Sequence, residues 1–163
     1  MQTLEKISRF LNRLLVLIGG IFIVGMILLT CGNIFLRMIW VPIPGTFELM
    51  GYFGAVVAAF ALAYTQIKRG HIAVDVLVNT FSRPVQKLLQ ALNHAVAFIF
   101  FGCAAWQVAV KAAVLRQTGE VSETLRIIYY PFTYAVALGC LVLALVLLVN
   151  LIKLCLTSME RQP

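Results

Sequence analysis

Apolar side chains fill four stretches of the chain, Leu14 to Leu36, Leu49 to Ile67, Leu88 to Val110 and Ile127 to Ile152, and none of them contains Asp, Glu, Lys or Arg. Each is about as long as the 20 or so helical residues that cross a bilayer core. The runs lack the strict alternation of barrel strands, and a helix satisfies its own backbone polar groups where there is no water. The pattern therefore predicts an all-α integral membrane protein with four transmembrane helices, at about 14–36, 49–67, 88–110 and 127–152, in one membrane domain covering residues 1–163.

A different periodicity occupies the connection between the second and third spans. If the chain turns helical after Gly70, then Val74, Leu77, Val78 and Phe81 share one face, while His71, Asp75, Asn79 and Ser82 share the other. This predicts a short amphipathic helix over about 72–82, lying on the cytoplasmic surface between basic anchors Lys68, Arg69, Arg83 and Lys87. His71 and Asp75 then orient a surface helix, because two such residues without a third or fourth ligand fall short of a metal set.

Composition agrees with the pattern: 62% of the 163 residues are hydrophobic, 12% are charged and mean hydropathy is +0.98. A signal peptide is disfavoured for the first run, which exceeds the 7 to 15 residues of an h-region and ends without a small-residue cleavage site. Of the 13 Lys and Arg, nine fall at the N-terminus, in the second connection and in the tail, which places both termini in the cytoplasm by the positive-inside rule. The net charge of +7 thus speaks of topology and anionic lipid headgroups, and nucleic acid is discounted as a partner.

Catalytic and redox chemistry lack the residues they need. Cys31, Cys103, Cys140 and Cys155 form no CxxC pair and sit in or at the end of apolar runs, where Cys behaves as a small hydrophobe. His94 is the one histidine inside a run, which does not make the facing pair of a bundle haem. No metal or cofactor is expected in this chain, nor an enzyme activity. Coupled carriers place ionisable groups or broken helices near the midplane, whereas Glu48, Glu120 and Glu123 fall at span ends or in connections.

The helices do carry contact surfaces. Gly51, Ala55, Ala59 and Ala63 recur every four residues along the second span, and Ala105, Ala109 and Ala113 repeat the spacing in the third. Small residues so spaced let helices approach closely, within one bundle or between subunits. At the outer edge, Arg37 and Glu48 flank a tight hairpin, "VPIPG", across which they are placed to pair. In the second outer connection, Gly119 is expected to end the third helix, with Glu120 beside it, and Ser122 to offer an N-terminal cap. Pro131 suits a helix that starts about there and would kink one that starts at Ser122.

Read in order, "NIFLR", "PGTFELMGYFGA", "RGHIAVDVL" and "TGEVSETLRI" resemble the layout of the TRAP transporter small permease subunit, the DctQ-like family. The likeness extends over almost the whole chain and rests on the order and spacing of the motifs. Two departures stand out: Glu48 is a single acid at the start of the second span, and no acidic residue separates Gly70 from His71. The resemblance implies a subunit of a sodium-coupled, binding-protein-dependent importer of organic acids in a bacterial or archaeal inner membrane. It implies as partners a large permease subunit, which would bind the sodium ions and the solute, an extracytoplasmic solute-binding protein, and membrane lipid. The subunit would act as a scaffold with no substrate site, its contacts drawn from Arg37, Glu48, Gly51, Ala55, Ala59, Ala63, Gly70, His71, Asp75, Gly119, Glu120 and Ser122. The competing reading is a self-contained homo-oligomeric carrier or ion pathway using Glu48 or His94.

Overall fold

A computed structural model describes residues 2–67 and 82–159 as four helices: α1 (Gln2–Ile39), α2 (Thr46–Ile67), α3 (Arg83–Thr118) and α4 (Tyr130–Met159). All four are long and apolar enough to cross a membrane. The surface helix expected at 72–82, with Gly70, His71 and Asp75, lies outside the described residues apart from Ser82, which has extended backbone and precedes α3.

The helices overrun the apolar runs that announced them. The 38 residues of α1 and 36 of α3 span about 57 and 54 Å, against about 33 Å for the 22 residues of α2. Charge does not stop a helix that has left the hydrocarbon, since Lys and Arg are good helix formers. Lys111 and Arg116, expected in the second outer connection, are consequently inside α3. Its real end is Gly119, left-handed at φ 66°, whose N–H bonds to the Leu115 carbonyl. This is the stop expected of that glycine, which adopts positive φ at no steric cost. Pro131 is the second residue of α4, where its missing N–H costs nothing.

The helices form an open arrangement around α4, which packs against the other three; α1 also packs on α2, whereas α3 makes extensive contact with α4 alone. Positions on α1 rise as those on α2 fall, from Gly19 against Phe60 to Thr30 against Met50, so α1 and α2 are antiparallel. Tyr52 stacks on Phe132 and Ala59 meets Gly139, so α2 and α4 run in parallel. Leu15, Val56, Phe60, Ala63, Val142, Leu143, Val146 and Leu147 form the core where α1, α2 and α4 converge. Among the described residues, Ala105, Ala112 and Leu115 are the buried positions of α3.

α2 and α4 approach closely at Gly139. A Cβ added at Gly139 would lie 2.7 Å from the Ala59 carbonyl oxygen and 2.8 Å from the Ala59 Cβ. Ala59 and Ala63 thus use their small size inside the molecule, whereas Gly51 and Ala55 of the same four-residue repeat are exposed. The stripe splits because a row of i, i+4 positions drifts around a 3.6-residue helix, leaving the α4 contact after two turns.

Substituting Gly139→Ala is expected to destabilise the protein by about 1 to 3 kcal/mol, the usual cost of overpacking a tight core. Gly102→Ala, where an added Cβ meets nothing within 4 Å, should stay within about 0.5 kcal/mol. Unfolding of the two variants in detergent checks this, and equal behaviour would contradict the close approach.

Candidate functional site

The connections 40–45 and 119–129 gather at one end of the molecule, here called the rim. Local chemistry builds each in turn. The Asn33 side-chain oxygen accepts from the Ile43 N–H at 2.8 Å, and the Thr46 hydroxyl donates to the Ile43 carbonyl at 2.8 Å, tying the proline-rich hairpin to both of its helices. Gly45 turns the chain at φ 71°, a conformation that an L side chain adopts only at some cost. The position is also sterically closed, because a Cβ there would fall on the Leu125 side chain of the other connection.

That second connection folds as a small hairpin. Val121 and Ile128 form an antiparallel bridge, and the Ser122 N–H donates to the Ile127 carbonyl at 2.9 Å. The buried Ser122 hydroxyl accepts from the Ile127 N–H at 3.3 Å. Ser122 therefore closes a loop and does not cap a helix; the same hydroxyl-to-backbone bond serves either purpose, and α4 begins only at Tyr130. Arg126 sits next to the closure with φ 52°, exposed and left-handed, at a cost of order 1 to 3 kcal/mol that the surrounding bonds must offset.

Glu48 joins the two connections. Its carboxylate accepts from the backbone N–H of Thr124 at 2.7 Å and of Leu125 at 3.2 Å, one on each oxygen. The pairing with Arg37 expected across the hairpin is not formed: Arg37 is exposed, and among the described residues no ion pair joins it to Glu48. Two converging backbone donors hold a carboxylate in a fixed place, whereas an exposed ion pair gains little in water.

Aromatic side chains extend this clamp into the helices. Tyr52 stacks between Tyr129 and Phe132, at centroid distances of 5.6 and 5.4 Å, and Phe53 bridges Phe132 and Phe22. The ladder links α1, α2 and α4 one or two turns below Glu48. The Tyr129 hydroxyl donates to Glu120 at 2.6 Å. That hydrogen bond, then burial, then the Glu120 charge raise the Tyr129 hydroxyl above its ordinary value of 10.0, so the contact persists through neutral and mildly alkaline pH and is lost only as pH rises beyond that.

Of the site residues expected from sequence, the structure brings Glu48, Glu120, Gly119 and Ser122 together at the rim. Arg37, Gly51 and Ala55 stay apart from that cluster on exposed positions, and Ala59 and Ala63 belong to the helix core. Asn33, Gly45, Tyr52, Leu125 and Gly139 join the contacts without having been expected there. The last had a readable signal in "AVALGC", a glycine among alanines in an otherwise bulky span.

The clamp commits its carboxylates to backbone and tyrosine donors, and four long apolar helices hang from it. These features define a multi-pass membrane protein whose helix ends are tied together at the rim. Within that class, the chain belongs to the DctQ family: the family model of the DctQ component of tripartite ATP-independent periplasmic transporters matches residues 26–157. Comparisons with curated proteins and with solved structures found no match. The family is a transporter component and not an enzyme family.

Removing the Glu48 carboxylate should free the 119–129 hairpin. Amide hydrogen exchange at Thr124 and Leu125 is expected to quicken strongly in Glu48→Ala, less in Glu48→Gln, which keeps one acceptor oxygen, and not at all in Arg37→Ala. An equal effect of Arg37→Ala would contradict the assignment.

Proposed function

We propose that this chain is the small membrane subunit of a sodium-coupled, binding-protein-dependent importer of an organic acid, and that it braces the large permease subunit without a substrate site of its own. The observation that carries the reading is the use made of Glu48. The carboxylate at the head of α2 is filled by two backbone donors of the neighbouring connection, so it serves as a structural clamp and not as an ion or proton ligand. This weighs against a self-contained carrier built on Glu48.

Further support comes from the family match to a component of tripartite transporters and from the division of α1, α2 and α4 into a packed core and exposed apolar faces. In this reading the rim faces the periplasm and both termini face the cytoplasm, in accord with the distribution of Lys and Arg. The large subunit and a soluble binding protein are the partners, and sodium binds the large subunit. A brace of this kind is useful because a moving transport domain needs a wide, immobile frame in the bilayer.

Reconstitution tests this directly. Liposomes containing this chain alone are expected to show no sodium-driven solute uptake, while the chain with its co-expressed large subunit and binding protein shows uptake that falls to background when this chain is omitted. Uptake by this chain alone would overturn the reading.

A further inference from the structure

At the end opposite the rim, the core shared by α1, α2 and α4 gives way to polar side chains. Asn12 and Ser8 lie one and two turns before core residue Leu15 on the same face of α1, and both are buried. Asn12 is 5% exposed, and its side-chain oxygen has no hydrogen-bond partner. On α4, Asn150 continues the face of core residues Leu143, Val146 and Leu147, to which it stands at helical spacing, and is half-buried.

The helix contacts bring these side chains to one level. Gly19 faces Phe60 and Thr30 faces Met50 across α1 and α2, while Tyr52 pairs with Phe132 and Ala59 with Gly139 across α2 and α4. Continuing both registers sets Asn12 level with about residue 148 of α4 and Ser8 level with about residue 152. Asn150 falls between the two, about 3 Å along the axis from either.

A buried amide oxygen is costly to leave unbonded, and native structures almost always give it a partner. Turning the Asn12 amide over would put its N–H groups in the same place, with the same need. Burial closes Asn12 to a partner subunit or a lipid headgroup, and among the described residues no hydrogen bond joins it to Asn150. An enclosed water serves such a place when two to four polar groups converge on it, and Asn12, Asn150 and the Ser8 hydroxyl supply three. We infer that one internal water molecule is held there, donating to the Asn12 oxygen and bonding the Asn150 amide and the Ser8 hydroxyl. The bridge ties the first turns of α1 to the last turns of α4, at the end of the molecule that the rim contacts do not reach. It is a property of the chain by itself, independent of any partner.

The full chain in lipid nanodiscs tests this. In the wild type, the side-chain amide protons of Asn12 and Asn150 are expected to show NMR cross-peaks to a long-lived water, whereas those of Asn93, exposed on α3, show none. Asn12→Leu keeps the volume and removes the amide; it should abolish the Asn150 cross-peak and shift the unfolding equilibrium about threefold toward the unfolded chain, the usual effect of losing one interhelical hydrogen bond. Asn150→Leu should do the same, and the double variant little more than either alone. An unbonded Asn12 requires the opposite sign, because leucine would relieve the stranded oxygen. A gain in stability from Asn12→Leu, additive effects of the two substitutions, or wild-type amides without a long-lived water would each overturn the bridge.

Discussion

Lipid removes the force that usually drives helices together, so the architecture depends on how closely two backbones can approach. Apolar side chains gain nothing by leaving hydrocarbon for a protein interior, and what remains is dispersion at short range and a few polar bonds. Gly139 against Ala59 is where this chain exploits that rule, with the Ala59 carbonyl inside the space a side chain at 139 would need. α2 and α4 meet there, α4 is also the helix that the other three pack against, and Val56, Ala63, Val142 and Leu143 lie in the core that α2 and α4 share with α1.

Above the hydrocarbon a second rule takes over. Backbone donors in the connections need partners, and water competes with every surface ion pair, so fixed geometry is gained by aiming a carboxylate at backbone N–H groups. Glu48 does this across 76 and 77 residues of sequence, while Leu125 seats over Gly45 and the stacked Tyr129, Tyr52 and Phe132 carry the rigidity downward. The rim thereby fixes the ends of α2, α3 and α4 relative to one another. The two rules together hold the helices to one another in a chain with little buried polar chemistry to spare.

How much of this was legible follows from which partner each residue has. The four helices could be read because charges are costly in hydrocarbon and therefore mark its edges; their full lengths could not, because Lys111 and Arg116 prolong α3 as readily as they end a membrane run. Gly119 could be read as a stop, since its conformation is a local matter. The Glu48 clamp could not: its donors are backbone groups, which every residue possesses, and the sequence offered the nearer Arg37 in their place. Likewise the four-residue repeat of small residues announces a contact surface without saying which of its members, Ala59 and Ala63 or Gly51 and Ala55, will be covered.

The proposed brace role requires that this chain hold still while its complex works. Cys31 on α1 and a cysteine replacing Arg116 near the end of α3 are both exposed positions and can carry spin labels once Cys103, Cys140 and Cys155 are changed to Ser. A distance distribution between the two labels that is the same in the assembled transporter with and without sodium and solute is the result the account requires. A distribution that shifts or splits between those conditions would show a moving part, and would contradict it.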